Sequence, residues 1–387
     1  MSKLRQDADA IIQAAITAAQ PDEAVRKALE GRDFGSGRVV LVAAGKGAWQ
    51  MANAASRILG SRIDTGIVIT KYDHSKGPIA NFTIREAGHP IPDENSFTAT
   101  QQALDLVSGL TAQDTVLFLL SGGGSALFEK PLIPAEELQD ITSQLLASGA
   151  DIVEMNTIRK RLSGVKGGRF AQACAPAQVF SIVLSDILGD PLDMIASGPA
   201  VPDTSTCGQA IAIAEKYHLR LSTAAQELLR QETPKALTNV TTRITGSVRE
   251  LCTAAAAACR ALGYEPVLLT DRLCCEAREA GETVVHLTGK GLGGRNQELA
   301  LAAAPALAGL KHCCVFSVGS DGTDGPTDAA GGYVDGETEA ALRAAGRDVY
   351  RTLADNDAYH ALQAVGGLIR TGATGTNVND VAVALVE

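Results

Sequence analysis

Two hydrophobic patterns alternate along the chain. Short consecutive apolar runs, bounded by glycine or charge, fall at 38–44, 66–71, 82–86, 116–120 and 179–185. Runs of this length, rich in valine, leucine and isoleucine, read as strands buried on both faces. Helical spacing links Ile11, Ile12, Ala15, Ala18, Val25 and Leu29 across residues 7–30. It returns at about 48–59, at about 95–108, and in a helix that starts near Pro134 and stops before Gly149. Strands and helices in this alternation predict an α/β fold with a parallel, doubly wound sheet.

The pattern then changes. Residues 187–206 form a long Pro/Gly/Asp stretch, whose Ile187, Leu188, Met194, Ile195 and Val201 favour an ordered, docked loop. Helices are expected at 207–217 and 222–231. Polarity rises at 234–239, which places a domain boundary there and divides the chain into 1–238 and 239–387. A second α/β run follows: strands at 240–245, 266–270, 283–288, 313–318 and 381–386, with helices at 248–262 and about 296–307.

Composition narrows the class. A chain of 387 residues with 45% hydrophobic and 20% charged residues suits two soluble globular domains. The net charge of −10 argues against non-specific binding to nucleic acid or anionic membrane, and requires any anionic ligand to meet a local cluster of cations. The eight cysteines include no C-x-x-C pair and read as buried small hydrophobes in a reducing compartment. No signal-peptide core and no apolar run of the ~20 residues a membrane span needs is present, so a cytoplasmic chain is expected.

The candidate chemistry sits where apolar runs end. Val116–Leu120 flows into Ser121, Gly122, Gly123, Gly124 and Ser125. Glycines here let backbone amides converge on a small anion, with two hydroxyls beside them. Lys46 stands between Gly45 and Gly47, after one strand and before a helix, a good phosphate neighbour without the P-loop pattern. Residues 156–169 hold Arg159, Lys160, Arg161, Lys166 and Arg169 with no acid, the local positive charge the composition calls for. Asp186 follows the next strand, suited to Mg²⁺ or to general base work.

In the second half, residues 289–294 formally match G-x-G-x-x-G. The acid that a ribose 2′-hydroxyl needs about 20 residues on is missing, which disfavours a dehydrogenase. Arg295, Asn296 and Glu298 follow instead. Asp321, Asp324 and Asp328 crowd a second strand end, an oxygen-rich set favouring Mg²⁺ over zinc. Asn377 lies in the glycine- and hydroxyl-rich loop before the last strand. His89, before Pro90, reads as a turn residue. Glycines, cations and carboxylates in this mixture fit phosphoryl transfer, which is mostly positioning and charge neutralisation.

Taken in order, GKGAWQMA, AGHPIPDENS, LSGGGSALFEKP, NTIRKRLSGVKGGR, IASGPAVPD, GGRNQELAL, GSDGTDGPTDAAGG and TGATGTNVND resemble the glycerate 2-kinase family. The resemblance runs from about residue 38 to the end of the chain. It implies a Rossmann-like N-terminal domain, a C-terminal α/β MOFRL domain and an active site in the cleft between them. It further implies ATP- and Mg²⁺-dependent phosphorylation of D-glycerate to 2-phosphoglycerate; a homodimer is the candidate assembly. The family's essential lysine falls on Lys46 and its essential arginine on Arg295. Asp186, Asp321 and Asp324 become the expected metal ligands, with Asp186 also a candidate base. Ser121–Ser125, Asn156, Arg159, Lys166, Asn296, Glu298 and Asn377 become the expected phosphate- and substrate-binding residues. An NAD(P)-dependent hydroxypyruvate reductase, which shares the small hydroxy-acid substrate, is the rival reading.

Overall fold

The computed structural model describes residues 2–185, 192–271, 289–372 and 374–387. These form two compact units, Val25–Thr245 and Met1–Ala24 with Gly246–Glu387.

The Val25–Thr245 unit is built on six strands: β1 (Val39–Ala44), β2 (Thr65–Lys71), β3 (Phe82–Ala87), β4 (Thr115–Leu120), β5 (Gln178–Val183) and β6 (Val240–Ile244). All neighbours run parallel in the order β3-β2-β1-β4-β5-β6. Every residue of β1 and β4 is buried, as their unbroken apolar runs require of strands covered on both faces. Phe118, Phe128 and Phe170 pack ring to ring beside them. The strand order reverses between β1 and β4, and in an open parallel sheet ligands bind at the carboxyl ends of the strands flanking such a reversal.

The second unit carries an antiparallel sheet, β10-β7-β8-β9, made of β7 (Cys313–Gly319), β8 (Gly331–Asp335), β9 (Leu368–Ile369) and β10 (Asp380–Val386). Helix Arg295–Leu307 packs on β7 and β8, burying Leu299, Ala300, Leu301 and Ala304. Helix Lys3–Ala18 packs on helix Val248–Ala261 in the same unit.

Three expectations change. Val240–Ile244 pairs with β5, Val179 opposite Val240, so the first unit runs on to Thr245 rather than ending at 238. The N-terminal helix belongs with the C-terminal unit, because its apolar face is buried there. Residues 266–270 form no strand, and Val267 and Leu269 stand 77% and 90% exposed. The strand expected at 283–288 lies outside the described residues. No helix among the described residues is long and apolar enough to cross a membrane.

Candidate active site

In the first unit, the ends of β1 and β4 are tied together through backbone. The amide of Lys46 donates to the Gly122 carbonyl at 2.8 Å, and that of Gly47 to Ser121 Oγ at 2.9 Å. Gly45 has φ +124°, and a Cβ there would sit 2.3 Å from Ser121 Oγ, so only glycine lets the two turns touch. The Lys46 carbonyl accepts from Thr70 Oγ1 and lies 3.1 Å from His74 Nδ1. The lysine backbone is therefore fixed from the ends of two neighbouring strands, β2 and β4. Its half-buried ammonium has no ion-pair partner among the described residues.

Gly123 is left-handed, with φ +86°. A side chain there would strike His89 and Lys46: a Cβ would stand 3.1 Å from His89 Nε2 and 3.1 Å from Lys46 Cγ. Gly124 is equally confined, by Ala196 Cβ. Ala196 and Ser197 both adopt positive φ, +50° and +61°, a backbone strain that L-residues hold only where surrounding contacts fix it. Asn156, buried on helix Ile152–Leu162, accepts from Ser197 Oγ at 2.9 Å and so holds that strained turn in place.

The basic segment, expected as the local positive region, divides sharply. Lys166 is fully buried. Its Nζ donates to the carbonyls of Ser125 and Phe128 and meets Glu129 Oε2 at 2.6 Å. Burial pulls this ammonium down and the Glu129 carboxylate opposes that pull. Lys166 therefore anchors the glycine turn from behind instead of reaching a ligand. The amides of Gly167 and Gly168 are spent on the carbonyls of Ser197 and Gly198. Lys160 and Arg161 share the buried Asp203, and Arg169 caps the carbonyls of Arg161 and Ser163. Arg159 differs from the rest. It is half-buried, Glu129 is the one acidic group acting on it, and its guanidinium has no hydrogen-bond or ion-pair partner among the described residues.

In the second unit, Asp380 at the start of β10 binds Arg295 through both carboxylate oxygens, with Nη2 to Oδ1 at 3.1 Å. Asp380 also accepts from Asn296 Nδ2 at 3.0 Å. Helix Arg295–Leu307 begins after Gly294, which offers no side-chain cap, and Asp324 supplies the cap from its own loop. Its oxygens accept the amides of Asn296 at 3.2 Å and Gln297 at 2.8 Å. Burial pushes the Asp324 carboxyl up to about 6, Asp380 adding to the rise while the amides oppose it. Asp324, expected as a metal ligand, here caps the helix through both carboxylate oxygens. Glu298 is buried and accepts from Asn356 Nδ2 at 2.7 Å, a packing role rather than a phosphate contact. Asn377 is half-buried in the loop that Thr374, Thr376 and Val378 tie to Ser320 and Ala19.

The glycine-rich stretch at 289–294 is no dinucleotide cradle. Gly289, Lys290, Gly291 and Leu292 donate their amides to Asn356, Asp355 and Asp357. Those donors are unavailable to a pyrophosphate.

Asp186 lies outside the described residues. Among the described ones, no group of three or more His, Cys, Asp or Glu side chains could hold a metal. Asp321 is half-buried, and its Oδ1 accepts the Thr323 amide at 3.0 Å. Asp321 Oδ1 and Asp380 Oδ1 both approach Gly319, within 3.4 Å of where a Cβ would stand. Sequence reasoning missed Asp380, Glu129 and His89. Asp380 closes the NVND stretch, but nothing local signals its partner or that of Glu129.

The chain matches a family model described as a domain of unknown function (DUF4147) over residues 7–230, and the MOFRL family over residues 278–380. A D-glycerate 2-kinase from Thermotoga maritima is 50% identical, aligned over 99% of this chain and 98% of its own length. The crystal structure of a glycerate kinase from the same organism matches with a TM-score of 0.96 at 49% identity, covering 99% of each chain. A relative from Agrobacterium vitis, 38% identical over 99% of this chain and 94% of its own, carries the provisional name hydroxypyruvate reductase.

Proposed function

The chain belongs to the glycerate kinase family, and from that premise we propose that it transfers the γ-phosphoryl group of ATP to the C2 hydroxyl of D-glycerate. The products are 2-phospho-D-glycerate and ADP. The observation that carries this reading is Lys46: its backbone is fixed at the β1–β4 reversal while its ammonium stays uncommitted beside the Gly122–Gly124 turn. A cation preorganised in this way stabilises charge on a transferring phosphoryl group without reorganising.

Ser121 and the glycine turn orient the phosphate chain, and Lys166 holds that turn rigid. Arg159 takes the glycerate carboxylate, since a guanidinium pairs with a planar carboxylate in a two-bond fork. In the other unit, Asp380 aligns Arg295, the arginine that the family resemblance makes essential. Asp321 would hold Mg²⁺ together with phosphate oxygens, and Asp186 remains a candidate for the metal or for the hydroxyl proton. Bound Mg²⁺ supplies charge neutralisation for the polyphosphate. As the substrate oxygen bonds to the γ-phosphorus, the bond to the ADP oxygen breaks and the hydroxyl proton leaves to a carboxylate.

The reductase reading finds no support in the stretch with a dinucleotide-like pattern, whose amides are committed to Asp355, Asn356 and Asp357. ADP release that depends on D-glycerate, present in the wild type and lost in Lys46→Met, tests the kinase reading. Oxidation of NADH by hydroxypyruvate at a comparable rate would replace it.

A further inference from the structure

His89 follows β3 and stands against the glycine turn. A Cβ placed on Gly123 would stand 3.0 Å from its Cδ2 and 3.1 Å from its Nε2, and 3.1 Å from Lys46 Cγ. The imidazole edge and the lysine stem therefore flank the same backbone atom. The ring is half-buried and makes no hydrogen bond or ion pair among the described residues.

The charges around it are one-sided. Lys46 at the end of β1, Lys71 at the end of β2 and His74 just beyond it all act on His89, and all are basic. Two acids belong to the neighbouring backbone, and both are committed. Asp93, on the loop that follows His89, accepts from Tyr72 Oη at 2.6 Å and from the Ser96 amide. Glu86, on β3, accepts the Ser75 amide at 3.0 Å. Burial first, then these cations, hold the imidazole below its ordinary titration range. A chain of net charge −10 has thus gathered four basic groups at one set of strand ends with no free carboxylate among those named.

We propose that His89 is a phosphate-binding residue of the nucleotide site, its Nε2 edge meeting a phosphoryl oxygen from the β3 side while Lys46 and the Gly122–Gly124 turn meet it from the other. The inference rests on the reading of Lys46 as a phosphoryl ligand. Burial, and after it the neighbouring cations, disfavour the charged form of the ring. An arriving polyphosphate reverses the local field, and the ring takes a proton from solvent and donates it as a charged hydrogen bond. His74 differs, since its Nδ1 is already engaged with the Lys46 carbonyl.

The test is an imidazole ¹H–¹⁵N titration of the full chain, with the His89 signals assigned from His89→Asn. It is run alone, with inorganic tripolyphosphate, with D-glycerate, and with sodium chloride at matched ionic strength. Tripolyphosphate is expected to raise the His89 titration midpoint by about 1 pH unit or more, as an opposite charge at contact distance does. D-glycerate and sodium chloride should leave it in place, and Lys46→Met should reduce the shift. His89→Ala should weaken tripolyphosphate binding roughly tenfold, the value of one charged hydrogen bond. An unmoved midpoint while tripolyphosphate binds overturns the proposal, as does a shift driven by D-glycerate alone, which would make the pocket a carboxylate site. No phosphoryl transfer is needed for any arm. A chain that phosphorylates glycerate without the His89 shift would overturn this inference alone, and a shift without glycerate phosphorylation would overturn only the kinase reading.

Discussion

Asp380 holds Arg295 in a two-oxygen grip across the start of helix Arg295–Leu307, and the same carboxylate accepts from Asn296. The grip fixes a planar guanidinium in direction as well as position, which a single contact cannot do. Asp380→Asn keeps the size of the side chain and removes the charge that aligns the arginine. The expected result is a fall in kcat of roughly tenfold to a hundredfold with little change in folding, since small misplacements cost that much in group transfer. Steady-state kinetics beside a thermal unfolding curve checks it.

The Lys166–Glu129 pair tests the assignment of Lys166 to structure. Both side chains are essentially buried, and removing one partner leaves the other charge uncompensated. Lys166→Met should destabilise the unit by roughly 3–5 kcal/mol, measured by urea unfolding, and Glu129→Gln should do so by a similar amount. The double substitution should cost less than the sum of the two. A stable Lys166→Met that has only lost substrate affinity would return Lys166 to the binding surface.

Arg159 carries the opposite expectation. It has no partner to strand, so Arg159→Ala should leave stability nearly unchanged while raising KM for D-glycerate by roughly tenfold to a hundredfold, the worth of a charged two-bond contact. KM for ATP should stay within a few-fold of wild type. Initial-rate kinetics with each substrate varied in turn separates the two.

Asp324 gives a pH signature. Its folded value of about 6 lies above the ordinary carboxylate value near 4. Between those values the folded state holds a proton that the unfolded state has released, so stability falls as pH rises through about 4 to 6. Below and above that window the contribution is flat. Urea unfolding of wild type minus Asp324→Asn, measured across this range, should show that fall, on the order of 3 kcal/mol in total. A flat difference would contradict the burial argument.

Much of the framework was legible because fully buried strands announce themselves as unbroken apolar runs: β1, β4 and β5 lie within two residues of their expected bounds. Strands β8 and β9 were not, since one opens on Gly331–Gly332 and the other is only two residues long. Val240–Ile244 was recognisable as a strand, but its partner β5 could not be read from local polarity. The site was legible by position and less so by role. A run of lysines and arginines looks the same whether it faces a ligand or buried acids, and Glu129 and Asp203 lie far along the chain from the cations they neutralise. The same distance hid Asp324 as a cap and Asp380 as the partner of Arg295.

The most direct test of phosphoryl transfer to glycerate is the product itself. ATP, Mg²⁺ and D-glycerate incubated with the chain should yield ADP and a single new phosphomonoester, whose ³¹P–¹H coupling to one methine proton identifies 2-phospho-D-glycerate. A signal coupled to a methylene pair would place the phosphate on C3. No phosphorylated glycerate, with NADH consumed on adding hydroxypyruvate, would contradict the account.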